Sequence, residues 1–347
     1  MAERGELGAR KAAVLRAVVE EFVRSGEPIG SETIAERYSL GVSSATIRND
    51  LAALEEMGYL THPHTSAGRT PTDLGYRHYV DSLPARGRLA TTQRRDIAEY
   101  FQQAVGDLEE VLRGAAQLLS RLTQYAGLAV PPSGLEERIL RVELVETGTK
   151  LLVLVITHHG QVLTRIIERP EALRQDAVDA VARRLTEQVA DNTLRQAIAR
   201  AKQLSRDANP AEGGLLAAVS DAVRDMDEHD DAERVLVGGV ANLAGELAIW
   251  RAETMRRLFD AIEHEADVLR LLRTATLTGE ASVTIGTEHP STEEWEASVV
   301  AAPYRAGESL LGTIGVVGPT RMDYQTTITA VRAVAKRLSD LAEQLGG

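Results

Sequence analysis

The amino-acid sequence predicts an α+β multidomain protein: an N-terminal winged helix-turn-helix, then an α+β domain that a mainly helical segment interrupts. Three observations predict it. Three helix-patterned segments precede a hairpin pattern within the first 85 residues. A break rich in Pro, Gly and Arg follows at Pro84 to Ala90. Beyond it, β-rich runs stand on both sides of a long helical stretch.

The first helix is expected from about Ala9 to Ser25, with Leu15, Val18, Val19 and Phe22 on one stripe and Gly26 and Pro28 as stop signals. Ser31 is placed as the cap of a short second helix that runs through Tyr38. Gly41 turns the chain and Ser43 caps a third helix, whose Ile47, Leu51 and Leu54 form an i, i+4, i+7 buried stripe ending before Gly58. Tyr59 and Leu60 start an extended segment that Gly68 and Pro71 fold back.

After the linker, Phe101, Leu108, Ala115 and Leu122 recur every seven residues, as do Ile97, Ala104, Val111 and Leu118. That seam of nearly four heptads suits either a core helix of its own domain or a helix paired with a second subunit. From Arg138 to Glu168 the runs ILRVELVE, LLVLVITH and VLTRIIE, separated by Thr147-Gly148 and His159-Gly160, predict an antiparallel meander. A mainly helical region from Pro170 to about Thr274 contains one short apolar run, Val235 to Val240. Strand patterns return at Ala281 to Gly286, Ala297 to Tyr304 and Leu310 to Val317, and a last helix places Val331, Val334, Leu338 and Leu341 on one face.

With 347 residues the chain is long enough for two or three domains. The absence of cysteine excludes disulfides, thiolate metal sites and cysteine nucleophiles, and fits a reducing compartment. The first helix carries Arg16, Glu20, Glu21 and Arg24, unlike a signal peptide, and the longest aliphatic run, Leu151 to Ile156, is too short to span a bilayer. A cytoplasmic location is expected. The net charge of −12 argues against a nucleic-acid partner until its distribution is considered. Residues 1–88 hold 11 Lys+Arg and 12 Asp+Glu, so nearly all of the acidity lies in the remainder.

On a helical wheel the side of the third helix opposite Ile47, Leu51 and Leu54 carries Ala45, Thr46, Arg48, Asn49, Ala52 and Ala53. Arg can pair bidentately with guanine and Asn with adenine, Thr can bond a base edge, and alanines let the backbone approach a groove. Reading residues near a helix N-terminus are those of a recognition helix. The amides near Ser43 and Ser44 suit a phosphate. In the wing, Arg69 is the clearest cation, and Thr65, Ser66 and the Gly68 amide are small donors for phosphate or sugar. Solvated surface residues are the plain alternative for each of these taken singly. Their convergence on one face favours DNA.

The run IGSETIAERYSLGVSSATIRNDLAALEEMGYLTHPHTSAGRTPTDLGYRHYVD resembles the N-terminal domain of the HrcA heat-inducible transcription repressors, and SVVAAPYRAGESLLGTIGVVGPTRMDY resembles that family's C-terminal signature. Together they span about a quarter of the chain. The resemblance implies a winged-helix domain over 1–85, a linker at 86–92, and a GAF-like domain over 93–347 with a dimerising insertion at about 170–275. It implies repression of chaperone genes by a homodimer on double-stranded DNA, at the inverted-repeat operator called CIRCE, with support from a GroEL-type chaperonin and no membrane partner. Matched position by position, the DNA-binding residues are Ser43, Ser44, Thr46, Arg48 and Asn49, then His64, Thr65, Ser66, Gly68 and Arg69. No cofactor is implied.

His62, His64 and His78 suggest a metal site, but no carboxylate or cysteine stands at a matching interval. Gly312, Gly315 and Gly318 lack the dinucleotide-binding spacing and are read as strand packing, and Val237 to Val240 as a tight connection. Arg321 and Asp323 fit either a small-molecule pocket, which would make a metabolite-responsive regulator, or a turn in which Asp323 caps the last helix. His158-His159-Gly160 reads as a hairpin tip. The acid pairs Glu136-Glu137 and Glu293-Glu294 have no companion nucleophile or base, so no enzyme is expected.

Overall fold

In the computed structural model, the described residues are 7–63, 68–84, 87–104, 108–132, 138–158, 162–170, 173–230, 235–239, 269, 272, 280–288, 297–307 and 309–346. The N-terminal unit is built from α1 (Ala9–Ser25), α2 (Ser31–Arg37), α3 (Ser44–Glu56), the hairpin β1 (Leu60–Thr61) and β2 (Thr70–Pro71), and α4 (Asp73–Asp81). Its core is formed by Val14, Leu15, Val18 and Val19 of α1, Ile34 of α2, and Ile47, Leu51 and Leu54 of α3, all buried. Gly26 ends α1 in the left-handed region (φ 72°), donating its N–H to the Phe22 carbonyl at 2.9 Å. Ser31 does not cap α2. The helix begins one residue earlier in its bonding, with the Ile34 N–H reaching Gly30 O at 3.3 Å. The Ser31 hydroxyl instead accepts from Ser44 Oγ at 3.1 Å, which ties α2 to α3.

Two buried carboxylates lock this unit. Glu21, on the inner side of α1, is gripped by Arg24 and by Arg37 of α2. Asp50, on the stripe of α3 between Ile47 and Leu54, receives Arg10 in a two-point contact, Nε to Oδ2 at 2.7 Å and Nη2 to Oδ1 at 3.0 Å. A carboxylate 4% exposed is tolerable only with such charge-assisted partners.

Two helices, α5 (Thr91–Gln103) and α6 (Leu108–Thr123), take the place of the single heptad helix. The chain turns extended at Ala104 (ψ 107°), and α5 folds back so that Tyr100 donates to Val111 O at 2.6 Å. The seam on α6 is buried within the same chain, because Val111, Leu112, Ala115, Leu118 and Leu119 pack on a five-stranded sheet. That sheet has the order β7 (Leu236–Gly238), β3 (Ala126–Val130), β10 (Ser309–Pro319), β9 (Ala297–Ala306), β8 (Ser282–Ile285), and every pair is antiparallel. The last helix, α10 (Tyr324–Gly346), covers the same face with Val331, Val334 and Leu338, and Asp323 caps it, accepting from Thr326 N at 3.0 Å. A Cβ on Gly127 would lie 1.9 Å from Ala116 O, so glycine is what lets α6 approach β3 this closely.

The meander is found where expected, as β4 (Ile139–Thr147), β5 (Lys150–Thr157) and β6 (Val162–Glu168). It does not join the C-terminal strands, as the order of patterns along the chain suggests. Its inner face (Val142, Leu144, Val153, Val155) shares a separate core with α7 (Gln175–Val189), α8 (Leu194–Asp207) and α9 (Pro210–Asp230). The meander and helices therefore form one module, leaving the large sheet after β3 and returning at β7, the strand beside it.

The N-terminal unit is seated on the α+β domain. Tyr76 of α4 and Tyr324 pack with ring centroids 5.8 Å apart, and burial pushes both phenols above their ordinary range. Tyr324 donates to Thr320 O at 2.7 Å and shares a 2.8 Å bond with Ser298 Oγ. Asp73 accepts from Thr287 N and Oγ1, both at 2.9 Å, in the 3-10 turn Gly286–Glu288. Arg77 pairs with Glu288 and donates to Val283 O at 2.6 Å. Arg321 donates to Val23 O at 3.1 Å, entering beside Gly26 where a Cβ would stand 2.9 Å from its guanidinium.

The Arg10 contact holds the Asp50 carboxyl below the usual aspartate range, chiefly through its hydrogen bonds. Removing it by Asp50→Ala is expected to cost about 1–3 kcal/mol in denaturant unfolding at neutral pH. Because the folded-state value is lowered, this stability is complete above the unfolded aspartate value of about 3.9 and is lost as pH falls through the folded one. The gap between wild type and variant should therefore hold from pH 7 to about pH 4 and close below it. A gap that persists unchanged in stronger acid would contradict the assignment.

Candidate nucleic-acid interface

The third helix begins at Ser43, whose extended backbone (φ −72°, ψ 156°) lets its Oγ accept the Thr46 N–H at 3.2 Å. The Thr46 hydroxyl meets the same Oγ at 3.0 Å. There is no acidic residue in the first turn of α3, so nothing there neutralises the positive end of the helix dipole. Burial of Ile47, Leu51 and Leu54 turns the opposite side outward. Ala45, Arg48, Asn49 and Ala52 are exposed there, with Thr46 and Ala53 half-buried at the edges.

The charges around this face are unequal. Most cations of the N-terminal unit are spent on carboxylates: Arg10 on Asp50, Arg16 on Glu20, Arg24 and Arg37 on Glu21, and Arg77 on Asp81 and on Glu288 of the α+β domain. Arg48 differs. Among the described residues, no carboxylate pairs with it and no hydrogen bond holds Asn49. An unengaged guanidinium beside an unengaged amide, on a helix held rigidly from behind, can present two planar hydrogen-bonding groups to an external partner.

The other expected site residues fall into three groups. Ser44 is half-buried and its hydroxyl is committed to Ser31, leaving its amide as the group at the helix start. Gly68 and Arg69 are bound into the fold. A Cβ at Gly68 would stand 2.6 Å from the Pro28 and Ile29 backbone, and Arg69 exchanges two 2.8 Å backbone hydrogen bonds with Ile29. The Arg69 side chain lies against Glu55, Nε to Oε2 at 2.6 Å. His64, Thr65 and Ser66 lie outside the described residues.

Two further residues, Asp50 and Glu55, shape this surface. Asp50 carried a signal, since it occupies the i+3 position on an otherwise apolar stripe. Glu55 carried none, because its partners His62 and Arg69 stand 7 and 14 residues away and meet it only through the hairpin. The histidines considered for metal binding are engaged separately, His62 with Glu55 and His78 edge-on against Tyr59 at 5.6 Å. No metal-binding cluster occurs among the described residues. Arg321 serves as the domain contact and Asp323 as the helix cap described above. Among the described residues no helix is long and apolar enough to cross a membrane.

Comparison with known proteins accords with this geometry. Residues 109–328 match the HrcA protein C terminal domain, and residues 29–70 match the DeoR-like helix-turn-helix domain. The heat-inducible transcription repressor HrcA of Parafrankia sp. (strain EAN1pec) is 39% identical over 96% of this chain and 98% of its own length. Those of Nocardioides sp. and Cutibacterium acnes are each 40% identical, over 96% and 94% of this chain and 98% and 96% of their own lengths. A crystal structure of a hypothetical protein at 2.2 Å resolution superposes with a TM-score of 0.65 at 25% identity, over 98% of this chain and 100% of that one. The chain carries a helix-turn-helix DNA-binding domain and belongs to the HrcA family of heat-inducible transcription repressors, not to a family of enzymes.

Proposed function

We propose that this protein represses heat-shock chaperone genes by binding, as a homodimer, an inverted-repeat operator of the CIRCE type. It leaves that operator on heat stress. The observation that carries the reading is the exposed Arg48-Asn49 pair on α3, free of carboxylate partners among the described residues and one turn from an acid-free helix N-terminus. In a major groove these groups pair with guanine and adenine edges, Thr46 reaches an adjacent base, and the amides at Ser43 and Ser44 take a phosphate. The wing runs along the backbone through His64, Thr65, Ser66 and Gly68, and Arg69 sets its arm in place through its contacts with Ile29 and Glu55.

The domain plan is a winged helix over residues 1–85, a linker at 86–92 and a GAF-like domain to residue 347. The insertion expected at about 170–275 is better drawn from residue 138, because the meander shares its core with α7 to α9. The outer face of that meander suits the dimer contact. Val145, Leu152 and Ile166 stand in register across the three strands, as do Ile156 and Val162 beside them. Val162 and Ile166 are 52% and 59% exposed, where an antiparallel sheet facing water carries polar residues. Two such faces meeting about a two-fold axis would bury them, and the axis would be mirrored in the operator.

A domain stable by only about 5–15 kcal/mol can lose its active population over a modest rise in temperature, and a GroEL-type chaperonin that restores the active form couples repression to chaperone supply. A metabolite-responsive regulator gains no support from an open cleft of about 590 Å³ between α4, β8 and α10. Its Arg77 already faces Glu288 and Asp81.

Arg48→Ala and Asn49→Ala are each expected to weaken operator binding by roughly 1–3 kcal/mol and to relax its sequence preference. Fluorescence anisotropy on inverted-repeat and scrambled duplexes measures both, and variants equal to wild type on both would refute the interface. Ile166→Asp should convert a dimer into a monomer in sedimentation velocity and weaken operator binding with it; an unchanged sedimentation coefficient would remove the meander face from the dimer. Chaperonin with ATP should raise the operator-binding fraction of heat-treated protein, and no gain would remove it as a partner.

A further inference from the structure

We infer that Glu55 is a specificity-determining residue that holds the wing's Arg69 and His62 against the recognition helix and so withholds the wing's cation from DNA phosphates. The inference rests on the DNA-binding reading of α3 given above.

Glu55 lies in the last turn of α3, on the helix that carries Arg48 and Asn49. Its carboxylate is 22% exposed, and its two oxygens go to opposite arms of the hairpin. Oε2 pairs with Arg69 just before β2, and Oε1 with His62 just after β1. The β ladder between those arms has only two residue pairs, Leu60 with Pro71 and Thr61 with Thr70. So short a hairpin does not hold itself in water, and the carboxylate closes its mouth on both sides. The backbone bridge between Arg69 and Ile29 fixes the same arm from behind. The wing is thus fastened to the reading helix by one acidic side chain.

The charge consequence follows. Binding to DNA of any sequence comes from cations placed on phosphates, whereas discrimination comes from contacts to base edges. Arg69 is the wing's cation among the described residues, and Glu55 neutralises it in a partly buried setting, where an ion pair is stronger than one in open solvent. A phosphate must compete with Glu55 for Arg69 and meets the Glu55 carboxylate beside it, so the charge that Arg69 offers the polyanion is largely cancelled. The wing accordingly contributes shape more than charge, and discrimination is left to Arg48 and Asn49. A DNA-binding unit with nearly equal numbers of acidic and basic residues is consistent with this division.

The test is a salt titration of binding by the full-length protein, on a CIRCE-type inverted-repeat duplex and on a random duplex of equal length. Glu55→Gln should steepen the log K against log salt slope by about 0.9, the value of one added phosphate contact, and raise random-duplex affinity about threefold at low salt. The preference for the operator should fall. Adding Arg69→Ala to Glu55→Gln should return the slope to wild type. An unchanged slope in Glu55→Gln, or a steeper slope that survives Arg69→Ala, overturns the inference. Should Glu55→Gln fail to fold by circular dichroism, Glu55→Asp, too short to span both arms, must steepen the slope in the same direction or the inference falls. A wild type without operator preference, or one whose preference survives Arg48→Ala, would instead sink the DNA-binding reading itself.

Discussion

The contact between Arg10 and Asp50 determines which way the third helix looks. A carboxylate buried on the apolar stripe of α3 cannot rotate toward solvent without giving up two charge-assisted hydrogen bonds, nor inward without losing Arg10 altogether. With Ile47, Leu51 and Leu54 packed around it, the helix has one orientation, and its opposite side is committed to the surface. Asn49 and Arg48 lie one and two residues from Asp50 in sequence, so the residue that anchors the helix also aims the residues proposed to read DNA. Pre-organisation of this kind reduces the ordering cost of binding a partner.

The same economy of charge runs through the N-terminal unit. Glu21 draws together α1 and α2, Asp50 draws α1 to α3, and Glu55 draws the hairpin to α3. Each acidic group consumes a cation that would otherwise add to a basic surface. The result is a DNA-binding unit that is stiff and nearly neutral, in which the Arg48 guanidinium on α3 has no carboxylate partner among the described residues.

That unit is not tethered loosely. Tyr76 is buried against Tyr324, Arg77 and Asp73 engage the segment from Val283 to Glu288, and Arg321 takes the last carbonyls of α1. Aromatic packing worth about 0.5–1.5 kcal/mol beyond its burial, joined to several partly buried polar contacts, makes the position of the reading helix depend on the integrity of the α+β domain. On the proposed regulation, loss of that domain's packing on heating would release the orientation of α3. Structure and proposed regulation meet at this contact.

Elements governed by local rules were legible in the sequence. Hydrophobic spacing located α1, α3, the three meander strands and the last helix, and capping chemistry identified Ser43 and offered Asp323 as one of two readings, because periodicity and side-chain-to-backbone bonds operate within a few residues. The outward face of α3 followed from its inward stripe. Tertiary structure decided what depends on distant partners: that the heptad seam breaks at Ala104 and packs on its own sheet, that the meander belongs with α7 to α9, and that Arg69 meets Glu55. Ser31 shows the limit locally, since a serine at a helix start serves as cap or as tie according to what lies across from it, here Ser44. Periodicity states that a face is buried; only the assembled fold states against what.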